Sequence, residues 1–154
     1  MIAVVQIIKK ATVIADGVLS GQCGCGLYIL LGVEKGDDKT DADLLCAKIQ
    51  KMRIFKDEND KMNLSVLDTH ADVCIVSNFT LCANYKHGNR PDYFDSAPPA
   101  EAEELYSYFI ERMREAVPNV AHGKFGADMQ TEMITDGPVT IVVHSALLRK
   151  TPKA

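Results

Sequence analysis

Residues 1–8 and 11–16 are strand-like, rich in Val and Ile, and run into Asp16-Gly17. Asp-Gly readily supplies the two positive-φ residues of a tight hairpin, so the chain opens on antiparallel strands. A second strand pair is expected around Val18–Gly21 and Leu27–Gly32, with Gly24 and Gly26 at the turn. From Asp38 the period changes. Leu45, Ile49 and Met52 recur at i, i+4 and i+7 behind the polar lead-in Asp38-Lys39-Thr40-Asp41, the pattern of a capped amphipathic helix. Arg53–Phe55 and Met62–Val66 read as short strands about the turn Asp57–Asp60, and the continuous apolar run Asp72–Ser77 as a buried one. A polar loop over 84–98 ends in Pro98-Pro99, which suits the first turn of a helix running to about Ala116, with Leu105, Phe109 and Met113 on one face and Tyr106 beside them. Two strands near Asp128–Thr135 and Val139–His144, broken by Asp136-Gly137-Pro138, finish the chain. The fold expected is mixed α/β of the α+β kind: a strand-rich sheet or barrel-like core with two main helices on one side.

The 154 residues fit one domain, and 47% hydrophobic with 25% charged residues excludes a disordered or fibrous chain. A net charge of −4 argues against a broad nucleic-acid-coating face, and no DNA partner is expected, while a small local contact with phosphates stays open. The longest apolar run, Leu27–Leu31, is strand-sized, so no membrane partner is expected. Met1–Gln6 lacks the basic head and cleavage site of a signal peptide, which points to a cytoplasmic protein. Cys23, Cys25, Cys46, Cys74 and Cys82 have no metal-site or framework spacing and read as structural thiols of a reducing compartment.

The chain has no phosphate-binding glycine loop, nucleophile elbow or paired-His metal motif, and His70, His87, His122 and His144 are scattered. Side-chain acid–base catalysis has no evident owner. Two segments break local rules. In Ser77-Asn78-Phe79-Thr80-Leu81 a buried strand runs directly into hydroxyl and amide groups. Either Ser77 and Asn78 finish a strand while Phe79 and Leu81 alternate into the core, or polar groups and free N–H at a strand end face a pocket. In Thr135-Asp136-Gly137-Pro138-Val139-Thr140 the Gly-Pro pair is either a tight turn or, if cis, a rigid pair of outward carbonyls able to hold an ammonium group.

These two segments resemble the signatures Ser-Gln-x-x-Leu and Asn-x-Gly-Pro-x-Thr of the bacterial and eukaryotic D-aminoacyl-tRNA deacylase family. Met1–Gln6, Leu30–Lys35, Arg53–Phe55, Lys61–Leu64, Gly88–Pro91 and Gly123–Met129 are family-like and in family order. The resemblance covers a domain over 1–145 and leaves 146–154 as a short basic tail. It implies hydrolysis of the ester joining a D-amino acid, or glycine, to the terminal adenosine of tRNA, with no metal or cofactor. It further implies a homodimer in which each subunit inserts Gly137-Pro138 into its partner's active site. The carbonyls of Gly137 and Pro138 would grip the α-amino group and exclude an L side chain, while glycine offers nothing to reject.

The resemblance assigns the hydrolytic role to Ser77, Phe79 and Thr80. Backbone N–H groups around Phe79 and Thr80 would stabilise the oxyanion. The 2′-hydroxyl of the terminal adenosine assisting water is preferred to Thr80 as nucleophile, because no base adjoins Thr80 in sequence. Asn78, Phe125 and Met129 would complete the substrate site, the last two either lining an adenine pocket or belonging to the core. Lys86, Arg90 and Lys124 are candidates for a basic spot or else solvated cations, with Arg149, Lys150 and Lys153 in the tail, where the solvated reading is preferred. Two residues depart from the family pattern: Asn78 stands for the usual Gln, one methylene shorter, and Thr135 for the usual Asn. These departures keep open a binding module with impaired catalysis, and a related branch acting on L-alanyl-tRNA. A thiol enzyme using Cys82 is a third alternative.

Overall fold

The opening strand is the spine of the sheet. In the computed structural model, which describes residues 1–150, β1 runs unbroken over Ile2–Ala15. Asp16 (φ 50°) and Gly17 (φ 80°) then turn the chain in the left-handed region, as the Asp-Gly pair leads one to expect. β2 (Val18–Cys23) returns along the second half of β1, and β3 (Gly26–Gly32) follows on the same edge to pair with the first half.

α1 (Lys39–Lys51) starts where the sequence places it. Asp38 accepts from the N–H groups of Thr40 (2.7 Å) and Asp41 (3.2 Å), and the Asp41 carboxylate accepts from Asp38 N–H at 3.0 Å. A two-stranded pair of β4 (Phe55–Lys56) and β5 (Met62–Leu64) precedes a short helix, α2 (Val66–Thr69), that the hydrophobic pattern does not announce. Its cap has a measurable consequence. The hydroxyl and N–H of Ser65 donate to Asp68 at 2.6 and 2.8 Å and hold its carboxyl below the usual carboxylate range. A group with a depressed folded pKa stabilises above its unfolded value, about 3.9 for Asp, and that contribution disappears as pH falls through the folded value. The melting temperature should therefore drop below about pH 4, and part of the dependence should vanish in Asp68→Asn.

β6 (Asp72–Ser77) lies parallel to β3, and β7 (Val120–His122) parallel to β6. α3 (Pro99–Arg114) begins at its proline and lies with α1 against one face of the sheet. Between them Leu45, Ile49, Phe109 and Met113 meet Ile29 and Ile75, all fully buried. On the other face Ile8, Val13, Tyr28, Cys74 and Val76 form a second cluster. The sheet curls until β2 and β7 meet: Ser20 Oγ donates to the His122 carbonyl at 3.1 Å, and a Cβ on Gly21 would lie 2.8 Å from that same oxygen. The architecture is the expected mixed α/β fold with a nearly closed, barrel-like sheet.

One element differs from expectation. The two C-terminal strands are a single strand, β8 (Met129–His144), because both halves pair with β1. Thr140 pairs with Gln6 and Thr135 with Ile8, so residues 136–139 bulge out opposite Ile7 alone. The Gly-Pro unit thus interrupts the register and not the strand. Arg149 also departs from a solvated tail. It donates to Asp41 (3.0 and 2.6 Å) and Asp38 (2.6 Å), which joins the segment after Ser145 to the start of α1. Lys150 is exposed, and Lys153 lies outside the described residues. Among the described residues no helix is long and apolar enough to cross a membrane.

Candidate functional site

β6 ends at Ser77, and the chain is immediately redirected. Asn78 N–H donates to the Leu31 carbonyl at 2.8 Å, and Phe79–Cys82 wind into one 3₁₀ turn. Gly32 permits this approach, since a Cβ there would lie 3.0 Å from Leu81 Cβ and 3.1 Å from the Asn78 carbonyl oxygen. Phe79 does not alternate into the core; it is 58% exposed at the mouth of a cavity. The strand-end reading that turns polar groups toward a pocket is the one realised.

The cavity, about 450 Å³, is lined by Ser77, Asn78, Phe79, Phe125 and Met129, with Tyr106 at its floor. Five of the residues singled out from sequence, from Ser77 to Met129, therefore converge. The rest of the wall, including Leu31, Val33, Ala97 and Ala102, is apolar apart from Ser96. Among the described residues no carboxylate, imidazole, thiol or amine lines it. Among the described residues Tyr106 is its one titratable group, and burial pushes that phenol well above its ordinary pKa. The hydroxyl donates to the carbonyls of Ile75 and Gly123, both at 2.9 Å, and so ties the end of β6 to the segment carrying Phe125. Its ring lies 5.9 Å from that of Phe125. The sequence places Tyr106 on the buried side of a helix and gives no sign of this role. Gly123 brings Met129 close, for a Cβ there would meet its sulfur at 2.5 Å.

The amide of Asn78 is already engaged. Its Oδ1 accepts from Thr80 N–H at 3.2 Å and also from the Thr80 hydroxyl. This Asx turn is open to Asn; the added methylene of Gln displaces the acceptor from it. One of the two expected oxyanion donors is thereby occupied, while among the described residues Phe79 N–H has no acceptor. An amide oxygen is no base, so nothing here activates the Thr80 hydroxyl. Cys82 is no better suited. It is buried beneath the turn, donates to the Val33 carbonyl at 3.5 Å, and burial raises its pKa to about 11.

Gly137 and Pro138 are not in this cavity. Their peptide bond is cis, both residues are exposed, and they stand on the bulge of β8 away from the Ser77 segment of their own chain. Lys9 reaches Asp136 at 4.0 Å, and Gln6 Nε2 donates to Thr140 Oγ1 at 3.3 Å, so polar contacts flank the bulge. Thr135 is exposed. Lys124 pairs with Asp16 at 3.5 Å. His122 lies outside the cavity, with Nδ1 2.9 Å from the Gly123 carbonyl.

Comparison with known proteins shows the family and the fold. Residues 4–144 match the family model of the D-Tyr-tRNA(Tyr) deacylases. The D-aminoacyl-tRNA deacylase of Ruegeria pomeroyi is 48% identical over 92% of this chain and 97% of its own, and that of Escherichia coli O81 is 46% identical over 91% and 97%. Among solved structures, the c-Myc DNA Unwinding Element Binding Protein superposes with a TM-score of 0.88 at 36% identity, covering 94% of this chain and 98% of its own. A probable eukaryotic D-amino acid tRNA deacylase shares the fold at a TM-score of 0.77 and 15% identity, covering 92% and 97%. With a family model spanning nearly its whole length and relatives at almost half identity, this chain belongs to the D-Tyr-tRNA(Tyr) deacylase family.

Proposed function

We propose that the protein hydrolyses the ester between a D-amino acid, or glycine, and the terminal adenosine of tRNA. The observation that carries the mechanism is the composition of the cavity wall, which offers backbone donors and apolar surface but no side-chain base. Water attacks the ester carbonyl, the adenosine 2′-hydroxyl assists its deprotonation, and the ester C–O bond breaks as the ribose oxygen regains a proton. Phe79 N–H faces the developing oxyanion, a contact worth roughly 2.7–4 kcal/mol for one well-placed donor. Ser77 and Thr80 shape the backbone that presents it, and Phe125 and Met129 flank the adenine.

Chirality is judged by the carbonyls of Gly137 and Pro138 supplied by a second copy of the chain. Two features support a homodimer: the pair is exposed outside its own cavity, and the same strand exposes Met133, Ile134 and Val142. The test is hydrolysis of matched D-, L- and glycyl-tRNAs by the purified protein, with EDTA and an enzyme-free control. Release from the D and glycyl substrates with the L esters intact supports the reading. Release of L-alanine moves the chain to the related branch, and no release above the control defeats the enzyme reading.

The Asn78 turn favours a second reading, in which this member turns over slowly because Thr80 N–H is occupied. Asn78→Gln cannot keep that turn and frees the donor. It should raise the single-turnover rate on a D-aminoacyl-tRNA by about 20-fold or more, one donor's roughly 2.7–4 kcal/mol less about 1 kcal/mol for the lost cap. Stopped-flow single-turnover rates decide it, and an unchanged or lower rate would show that the Thr80 donor is not needed.

A further inference from the structure

The cavity wall continues outward into a cluster of aromatic rings. Of the five phenylalanines and five tyrosines, those classed as exposed are Phe79, Tyr85, Tyr93 and Phe94, at 58, 78, 37 and 76%. All lie within residues 79–94, while the remaining rings are buried or half-buried. The segment leaves the cavity at Phe79 and returns to it at Ser96 and Ala97. Tyr93 meets Phe79 edge-on, with centroids 5.0 Å apart and planes at 73°. Between the rings the chain makes a loop closed by a backbone pair, Asn84 N–H to Asp92 O at 2.8 Å and the reverse at 2.9 Å.

The tip of this loop, residues 85–91, carries Lys86, His87 and Arg90 and no carboxylate, on a chain of net charge −4. Asp92, at the base, accepts from Phe94 N–H at 3.2 Å, and Asp95 lies beyond the rings. Among the described residues neither Lys86 nor Arg90 joins an ion pair, whereas Arg112, Arg114, Lys124 and Arg149 all do. Exposed rings interleaved with unpaired cations match unpaired nucleotides, whose bases offer π-faces and whose phosphates offer charge.

We propose that the loop from Tyr85 to Phe94 is a binding surface for the single-stranded nucleotides that precede the terminal adenosine. Bases stack on Tyr85 and Phe94, and phosphates lie against Lys86 and Arg90. This rests on the deacylase reading, since the terminal nucleoside must occupy the adjoining cavity. The cavity then reads the ester, and the loop contributes affinity that carries little sequence information.

The test compares a D-aminoacyl-tRNA with the same amino acid esterified to adenosine alone, for the wild-type protein and for Tyr85→Ala combined with Phe94→Ala. The variant should raise KM for the tRNA by about tenfold per ring with kcat unchanged, and should match wild type on the nucleoside ester. Fluorescence anisotropy with a labelled single-stranded RNA ending in CCA should show the same loss of binding. Arg90→Gln should flatten the slope of log affinity against log salt by about 0.7. Equal effects on both substrates, or none on either, overturn the proposal. So does a change of oligomeric state in sedimentation, which would make the rings an interface between copies of the chain. Wild-type protein that binds the RNA through these rings but cleaves neither ester keeps the surface and loses the deacylase reading. Active protein without ring-dependent RNA binding does the reverse.

Discussion

Gly137→Ala should reduce single-turnover hydrolysis of a D-aminoacyl-tRNA by about 100-fold while lowering the melting temperature by only about 2–10 °C, the cost of one strained residue. Gly137 has φ +115°, a region that L side chains rarely adopt, and an added Cβ would lie 2.9 Å from both the backbone nitrogen and Cγ2 of Val139. The backbone must twist to relieve those contacts, and the twist moves the carbonyls that the proposed chiral filter aims at the substrate amine. Misplacement of a positioning group by roughly 1 Å costs about 100-fold in rate, or about 2.7 kcal/mol at 1.36 kcal/mol per decade. The stability loss should stop at that local strain, because residues 136–138 are exposed and outside both core clusters, and the fold keeps the variant well populated. Rates on the D and L esters together with a thermal melt check it. A variant with wild-type rate and selectivity would remove the Gly137 carbonyl from the mechanism.

Asp41→Ala should produce the largest loss of stability, about 3–5 kcal/mol, because it strips a buried carboxylate from partners that keep their charge or donors. Asp41 is fully buried and accepts from Arg149, from Ser145 Oγ at 2.8 Å and from Asp38 N–H at 3.0 Å. The Arg149 side chain is itself only 16% exposed, so it cannot simply turn to water. At roughly 2–4 °C per kcal/mol for a domain of this size, the melting temperature should fall by about 10 °C. Asp41→Asn, which keeps one acceptor, should fall less. A loss under about 1 kcal/mol in urea unfolding would mean that the network adds little beyond its own desolvation cost. The same contacts bear on where the domain stops: Arg149 falls in the segment set apart as a tail, yet its partners lie at the start of α1.

Most of the fold was legible because its signals are local. The Asp16-Gly17 turn, the Asp38 cap and the Pro99 helix start each depend on neighbours a few residues away, and each stands where the sequence puts it. The elements misread or unforeseen are those decided at long range or by very short pieces. β8 reads as two strands because Gly-Pro breaks a local pattern, but β1 pairs on both sides of the break and holds the halves as one. α2 and β7 are too short to show a period.

The site divides in the same way. Residue chemistry alone marked Ser77–Thr80 and Gly137-Pro138 as unusual, since hydroxyl and amide groups at the end of an apolar strand, and a Gly-Pro pair between strands, are visible without coordinates. The family resemblance grouped Phe125 and Met129 with Ser77, but the cavity they share, Tyr106 bracing its floor and the place of Gly137-Pro138 outside it are seen only in the tertiary structure. It also decided that Asn78 turns back onto Thr80. The physical reason is range. Caps, turns and strand alternation are set by backbone geometry within a few residues, whereas a cavity is set by packing between segments tens of residues apart.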